Sequence, residues 1–299
     1  MQSDIPHYDA LIIGAGPAGV SCAIWLARLG FAPLVIEAGA QVGGLCRSNP
    51  FPDDWNATLP GQTGPQVADQ LERSLELARA PVRLACAVAG IQRTGAGFQL
   101  QLADGGTPVA GRYVVLATGV AARGLPATAP GILTGPGQEI VQQDFRDKRV
   151  AVLGGGDNAF ENALYATDHG AQQVDVFARN IRAQQQFVDK FPAQRVRQGD
   201  YVVDVAQRTV NGVSYDLILV FYGWEPCIGF AASLGLGLTD EGFVATDPAT
   251  AETSVADVFA IGEVAQRMHP CVVTALADGV TAAKAIQARI EAGRKREPA

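Results

Sequence analysis

The sequence predicts an α/β fold with two three-layer domains, the second inserted into the first. A strand, a glycine-rich turn and a helix open the chain, and the same module returns near residue 154. No low-complexity linker separates the two modules, and a length of 299 residues suits two domains. The second module therefore looks like an insertion into the first.

The first module is read from the order of its elements. Residues 8–13 form a short, mostly apolar run of the kind that is buried in a parallel sheet. Residues 14–19 read Gly-Ala-Gly-Pro-Ala-Gly and precede an apolar-periodic helix to about Leu29. A second strand follows at residues 34–37, which completes a βαβ opening.

The glycine spacing of this module is typical of a Rossmann-like dinucleotide site. Gly14 permits a tight turn, Gly16 lets the backbone approach a pyrophosphate, and Gly19 lets the helix pack closely on the sheet. The helix N-terminus favours phosphate because its N–H groups are free. Glu37 stands at a strand end, where its carboxylate can accept hydrogen bonds from ribose hydroxyls.

Further elements follow in order. Gly64-Pro65 starts a predicted helix to about Ala80, and residues 82–102 read as antiparallel strands. A buried strand ends at Ala117-Thr118-Gly119. Near the end of the chain, residues 258–263 form a strand and a turn, and Pro270 opens a long helix to about Ile290.

The second module has the G-x-G-x-x-A form, with Gly154, Gly156 and Ala159. After the second strand of this module, no acidic residue stands at the position that would bind a ribose. Arg179 and Arg182 stand there instead, and guanidinium groups suit a 2′-phosphate, which favours NADPH, with NADH still possible. The alternative is that both arginines are ordinary surface charges.

Two nucleotide sites in one chain predict an electron relay. A flavin at the first site would accept hydride from a nicotinamide at the second, with the protein supplying placement and electrostatics. Alternatively, the second site has decayed and the chain is a flavin-binding protein that acts in sensing or partner binding.

Composition narrows the partners. A net charge of −7 argues against nucleic acid as a partner, and no secretory or membrane-spanning segment is recognisable, so we expect a cytoplasmic enzyme. The five cysteines contain no C-x-x-C, which predicts neither a metal site nor an internal dithiol.

Several motifs together resemble the low-molecular-weight thioredoxin reductase family and its relatives, the thioredoxin-reductase-like ferredoxin–NADP reductases. The landmarks are residues 14–19, 42–44, 63–65, 117–119, 154–159, 223–226 and 259–263. The resemblance implies an FAD domain at 1–118 and 245–299, an NAD(P)H domain at 119–244, and a homodimer. It also implies that Gly262 and Glu263 contact the flavin, and that the helix after Pro270 aims the N–H groups of Cys271 and Val272 at it.

The predicted contacts form two groups. Those for FAD are Gly14, Gly16, Pro17, Ala18, Gly19, Glu37, Gly44, Thr118, Gly119, Gly262, Glu263, Cys271 and Val272. Those for the nicotinamide nucleotide are Gly154, Gly156, Asp157, Asn158, Ala159, Arg179 and Arg182.

The sequence differs from the family pattern at positions that bear on which electron acceptor it uses. Thioredoxin reductases carry a C-x-x-C just before the second glycine motif, but residues 137–141 here hold no cysteine. Glu263 stands where the family generally has Asp, and no aromatic residue follows Gly293, unlike the ferredoxin reductases. We expect electrons to pass from FAD to a protein carrier such as ferredoxin or flavodoxin. The alternative acceptor is a small molecule, such as a quinone, a disulfide or oxygen.

Two side chains are candidates for chemistry beside the flavin. Cys46 could be a redox-active thiol or a small apolar filler. His269 could donate a proton, since imidazole is the commonest general acid in enzymes, or it could be structural.

Overall fold

The computed structural model describes residues 5–294, so the end of the chain after Arg294 lies outside the described residues. The chain divides into two compact units. One comprises the residues up to Val120 and from Pro226 onward, and the other comprises Ala121–Glu225. Two short strands, Val120–Ala122 and Trp224–Pro226, pair where the chain passes between the units.

The elements follow in chain order. The strands are β1 (His7–Ile13), β2 (Pro33–Ile36), β3 (Pro52–Asp53), β4 (Gln62–Thr63), β5 (Val82–Arg83), β6 (Val88–Thr94), β7 (Gly97–Leu102), β8 (Val109–Leu116), β9 (Val120–Ala122), β10 (Ile132–Thr134), β11 (Arg149–Leu153), β12 (Gln173–Ala178), β13 (Val196–Gln198), β14 (Val203–Asp204), β15 (Thr209–Val210), β16 (Val213–Ser214), β17 (Leu217–Val220), β18 (Trp224–Pro226) and β19 (Val258–Ala260). The α-helices are α1 (Pro17–Arg28), α2 (Gly64–Ala78), α3 (Gln138–Val141), α4 (Asp157–Asp168), α5 (Gln185–Val188) and α6 (Val272–Arg294).

The sheet of the first unit has the order β5-β2-β1-β8-β7-β6, and β19 also pairs with β8. Strands β5, β2, β1, β8 and β19 run parallel, and the β6–β7 hairpin joins β8 in antiparallel register. Alternate residues of β1 enter opposite cores, since Ala10 and Ile12 pack with α1 and α6 while Leu11 and Ile13 pack on the other face. Burial on both faces explains the continuous apolar run of β1.

The first unit resumes earlier in the chain than the sequence predicts. The predicted return lies at residue 245, whereas the structure rejoins the first unit at Pro226. The reason is packing: Ile228, Phe230 and Leu234 lie against the first unit's core, beside Phe98. This stretch carries no glycine motif or periodic pattern that would assign it to either sheet.

The sheet of the second unit is parallel throughout, in the order β10-β17-β11-β12-β13. Helix α4 covers one face through Ala159, Phe160 and Ala163. Val210, at the end of β15 in the small antiparallel sheet β14-β15-β16, packs into the core on the opposite face. The unit therefore has three layers, with its glycine turn at the carboxyl end of β11.

Helix α6 begins at Val272, two residues after the start predicted at Pro270. It is the longest helix of the first unit and buries Gly279, Ala282, Ala283 and Ile286 against the core. Across residues 5–294, no helix is both long and apolar enough to cross a membrane.

Candidate active site

The first glycine turn can be built only from glycine at two positions. Gly14 has φ +109°, and a Cβ there would lie 2.3 Å from the carbonyl oxygen of Ala117. A Cβ on Gly19 would lie 2.0 Å from the carbonyl oxygen of Gly14. Both approaches are shorter than van der Waals contact, so these two glycines are required by the fold itself.

Gly16 differs from its neighbours because its side has open space. No atom lies within 4 Å of a Cβ built on it, and its φ of −73° is accessible to any residue. It caps α1, whose first helical residue is Pro17, followed by Ala18. The opening beside a helix N-terminus is where a pyrophosphate would approach the backbone.

Gly44 lies beside the same turn. A Cβ on Gly44 would lie 3.2 Å from the Cα of Gly16, and the neighbouring Gly43 N–H donates to the Ala15 carbonyl over 2.8 Å. The segment at Gly43-Gly44 therefore closes one side of the predicted pyrophosphate position.

Glu37, directly after β2, accepts hydrogen bonds that hold the glycine turn in place. One carboxylate oxygen accepts the Ala15 N–H over 2.7 Å, and the other accepts the Gly39 N–H over 2.7 Å. A carboxylate has about four acceptor positions. Glu37 can therefore hold the backbone and still accept bonds from ribose hydroxyls.

Thr118 and Gly119 follow the carboxyl end of β8. The Thr118 hydroxyl is buried and has no hydrogen-bond partner within the described chain, and Gly119 has φ +63°. A buried hydroxyl without a partner is unfavourable. Thr118 lies beside Gly14 of the first glycine turn, and an orphaned hydroxyl there, at the carboxyl edge of a parallel sheet, fits a bound dinucleotide such as FAD.

The predicted second contact region is the turn at Gly262 and Glu263. Gly262 has φ +71°, and a Cβ on it would lie 2.9 Å from the Cβ of Ala18, so this turn lies against the start of α1. Burial raises the pKa of the Glu263 carboxyl. The extra methylene of Glu relative to the family's Asp is thus accommodated in a half-buried position.

Cys271, the residue before α6, lines the same cavity as Gly262 and Glu263, whereas His269 is exposed and lies, like Val272, outside that lining. The Cys271 N–H donates to the Thr274 hydroxyl over 3.2 Å, and that hydroxyl donates to the His269 carbonyl over 2.7 Å. The Cys271 N–H, which the sequence predicts to face the flavin, is therefore bonded within the chain. Val272, as the first helical residue, contributes an N–H of the type that helices leave free.

Cys46 lies in the 3₁₀ turn Gly44–Ser48, close enough to Glu263 for their charges to interact. Burial, followed by the charges of Glu263 and Asp53, raises the pKa of the Cys46 thiol to about 11. Because the thiolate is the reactive form, this environment favours the filler interpretation over the redox one.

We expect Cys46 to resist alkylation in the folded protein. With a pKa of about 11 against the ordinary 9.0, its thiolate population at pH 8 should fall about a hundredfold. Iodoacetamide labelling followed by peptide mass spectrometry measures the rate, and protein unfolded in urea is the control. Equal rates in both states would contradict the prediction.

The second glycine turn has the same features as the first: two glycines with no room for a side chain and one with open space beside it. Gly154 has φ +144°, and its Cβ would lie 2.4 Å from the Phe221 carbonyl oxygen. A Cβ on Gly155 would lie 2.0 Å from the Asn180 carbonyl oxygen. Gly156, the residue before α4, has no atom within 4 Å of its Cβ position, so it again offers the open side.

The segment after β12 folds onto this turn. The N–H groups of Arg182 and Ala183 donate to the Gly155 carbonyl over 2.6 and 2.9 Å. Asp157, the first residue of α4, accepts the backbone and side-chain N–H groups of Gln184 over 2.7 and 2.8 Å. Of the other predicted contacts, Ala159 is buried in the core, and the Asn158 carbonyl accepts the Asn162 amide.

Arg179 is exposed, and its guanidinium pairs with Asp200 over 3.4 Å. The exposed fractions are 77% for the Arg179 side chain and 96% for that of Asp200, so the pair is weak. Asp200 nevertheless competes with any phosphate that Arg179 would bind. Sequence reasoning missed Asp200 because it is distant in sequence from the arginine.

We expect Arg179→Ala to raise KM for NADPH by about tenfold, because an exposed charge-assisted phosphate contact contributes about 1.5 kcal/mol. Asp200→Ala should lower that KM by a few fold, since it removes a competitor. KM for NADH should change little in either variant. Steady-state kinetics with both nucleotides tests this, and equal effects on both would show that Arg179 does not read the 2′-phosphate.

Two buried residues in the first unit were not found from the sequence. Arg267 and Asp278 form an ion pair of 3.4 Å, and the Asp278 carboxylate also accepts the Gly262 N–H over 3.1 Å. The available signal was an acid on the apolar face of a predicted helix. In the part of the chain that the structure covers, no group of three or more His, Cys, Asp or Glu could hold a metal ion.

Comparisons with known proteins agree with this geometry. Residues 8–279 match the family described as pyridine nucleotide-disulphide oxidoreductase. A thioredoxin reductase of Mycolicibacterium smegmatis is 30% identical over 94% of this chain and 96% of its own. A ferredoxin–NADP reductase of Granulibacter bethesdensis is 30% identical over 88% of this chain and 83% of its own.

A solved structure supports the same conclusion. The thioredoxin reductase of Lactococcus lactis superposes with a TM-score of 0.79 at 26% identity, covering 95% of this chain and 99% of that one. The predicted fold class, with two Rossmann-like domains, is confirmed. The chain therefore belongs to the pyridine nucleotide-disulphide oxidoreductase family and is an FAD-dependent NAD(P)H oxidoreductase.

Proposed function

We propose that this protein transfers hydride from NADPH to FAD and passes the electrons directly from the flavin to an external acceptor. The carrying observation is the distribution of its cysteines. The unit formed by Ala121–Glu225 contains none, and the whole sequence contains no C-x-x-C. A dithiol relay of the C-x-x-C kind, or one within that unit, therefore has no residues to act through.

The chain's own residues would bind and orient the two nucleotides, while FAD supplies the hydride and electron chemistry. The open side of Gly16 and the N-terminus of α1 would take the FAD pyrophosphate, and Glu37 the ribose. The N-terminus of α6, from Val272, would present N–H groups and a positive dipole end. That end favours negative charge on a neighbouring group.

The second unit would hold NADPH in a corresponding way. Gly156 and the start of α4 offer the open side to the pyrophosphate, and Arg179 and Arg182 stand where a 2′-phosphate would be read. NADH remains usable, because the glycine turn recognises only the part that the two nucleotides share.

A protein carrier such as ferredoxin or flavodoxin is the first candidate acceptor. It is supported by the similarity to a ferredoxin–NADP reductase, which lies at the same identity as the similarity to a thioredoxin reductase. We also propose a homodimer, which the family resemblance implies. Size-exclusion chromatography with light scattering tests that state.

A small-molecule acceptor is the second candidate, and one observation favours it. Ferredoxins and flavodoxins are acidic, so their docking is helped by exposed basic side chains. Next to the start of α6, Arg267 is nine-tenths buried, whereas Met268 and Val273 are about half exposed. This apolar edge suits a quinone or an apolar disulfide better than an acidic carrier protein.

The test is anaerobic stopped-flow reduction of the yellow protein by NADPH and by NADH. Reoxidation by ferredoxin, flavodoxin, a quinone, an aromatic disulfide and oxygen then follows. A Cys46→Ser/Cys271→Ser variant is the matched control and should reoxidise at the wild-type rate. Loss of reoxidation in that variant would overturn direct transfer, and failure of both nucleotides to bleach the flavin would support a sensing role.

A further inference from the structure

A buried charge pair links two of the elements proposed to face the flavin. Arg267 follows the turn at Gly262, and Asp278 lies in α6. Their side chains are 10% and 5% exposed, so both charges are almost fully withdrawn from water. Such a pair is costly to desolvate and does not by itself argue for stability. Its placement therefore requires another explanation.

The bonds of the pair show what it connects. Asp278 accepts the Gly262 N–H over 3.1 Å and faces Arg267 over 3.4 Å. Arg267 in turn donates to the Pro248 carbonyl. The pair thus ties the Gly262 turn, the segment after it and α6 to one another. Without these contacts, the positions of the three segments along the chain would not hold them together.

The pair also keeps unused hydrogen-bonding capacity. Within residues 5–294, the Nε and Nη1 of Arg267 and the Oδ1 of Asp278 are buried without a hydrogen-bond partner. They line a cavity of about 10 Å³ together with Glu263 and Cys271. A cavity of that size holds about one water, and these donors and acceptor would satisfy it.

Burial raises the pKa of the Asp278 carboxyl, while the Gly262 N–H and the Arg267 charge act in the opposite direction. Removing one partner of a buried ion pair leaves an uncompensated charge in low dielectric. A change of charge here would be felt by any redox group that contacts the same turn.

We propose that Arg267 and Asp278 are positioning residues for the flavin, which fix the Gly262–Glu263 turn against the start of α6 and set the local charge felt by the bound cofactor. This inference rests on the proposed FAD site. It extends that proposal, because neither residue belongs to a glycine motif or to the predicted contacts.

Removing one charge of the pair should shift the flavin midpoint potential in a direction that depends on which charge is removed. Asp278→Asn keeps an oxygen for the Gly262 N–H but leaves a positive charge, which favours the reduced, anionic flavin and shifts the midpoint potential upward. Arg267→Met keeps similar bulk but leaves a negative charge, which shifts the potential downward. The double variant is neutral again and should return towards the wild-type potential.

Spectroelectrochemical titration of the holoprotein, with FAD release followed by fluorescence, measures these effects. Arg267→Lys preserves the charge and should stay near wild type. Arg289→Met is the matched control. Arg289 lies on the same helix as Asp278, about 16 Å further along, and pairs with Glu252 and Asp257 of the segment before β19. That variant should lose thermal stability without moving the potential.

The outcomes separate the two proposals. A wild-type protein that binds no FAD would overturn the proposed function. If wild type binds FAD but the single variants shift the potential in the same direction, or not at all, the positioning role is wrong. If both single variants fail to fold, the double variant and Arg267→Lys decide: the role is supported only if both hold FAD near the wild-type potential.

Discussion

Purified Gly16→Ala protein should be folded and colourless. In the structure nothing lies within 4 Å of a Cβ on Gly16, and its φ of −73° is allowed for alanine. The folded chain therefore has no reason to reject the methyl group. A pyrophosphate in contact with this backbone would meet it directly, so FAD affinity should fall by about a hundredfold or more, about 2.7 kcal/mol.

The measurements are the flavin absorbance of the purified protein, FAD titration of the apoprotein and thermal unfolding. Gly95→Ala is the matched control, because Gly95 lies in the β6–β7 turn and also has open space at its Cβ position. It should purify yellow. A Gly16→Ala protein with wild-type FAD content would show that the cofactor does not approach this turn.

Gly14 gives the contrasting case that separates fold from binding. Its positive φ and the Ala117 carbonyl 2.3 Å from its Cβ position leave no room for a side chain. Loss of FAD in a Gly14 variant would therefore mix misfolding with lost binding. Gly16 is the more informative position because only the ligand is expected to contact it.

The parts of the candidate site that could be predicted from the sequence are those that depend on backbone conformation. Gly14, Gly19 and Gly154 follow from local geometry, since a tight turn between a strand and a helix leaves no space for a side chain. Glu37 could be placed because it directly follows β2, the strand paired with β1. The α/β fold class followed from the same repeated module.

The parts that the sequence missed depend on contacts between distant segments. Asp278 occupies the buried face of α6 with Ala282 and Ile286, a position at which periodicity predicts an apolar residue. Only the tertiary structure brings it to Arg267. The pairing of Asp200 with Arg179 is likewise invisible to any local pattern.

The start of α6 shows a smaller limit of sequence reading. The sequence predicts that Pro270 opens this helix, and proline is indeed favoured in the first turn of helices. The structure instead places Cys271 just before the helix, where its N–H bonds to Thr274 and that hydroxyl bonds to the His269 carbonyl. A side-chain bond of this kind decides the boundary, and propensity alone does not contain it.

The Gly156→Ala variant should hold FAD normally and yet resist reduction by NADPH. Gly156 precedes α4 with φ −95° and open space at its Cβ position, so alanine should be tolerated by the fold. The methyl group would meet the pyrophosphate of the pyridine nucleotide, and we expect the Kd for NADPH to rise by about a hundredfold.

Anaerobic stopped-flow reduction of this variant by NADPH gives the Kd, and dithionite reduction is the control for an intact flavin. Dithionite should bleach Gly156→Ala and wild type equally, because it needs no nucleotide site. The two variants therefore separate the two proposed sites. Gly16→Ala should lose FAD and its colour, whereas Gly156→Ala should keep FAD but bind NADPH weakly. If NADPH reduced Gly156→Ala with wild-type affinity, the second glycine turn would not be the nucleotide site, and the relay would need another donor.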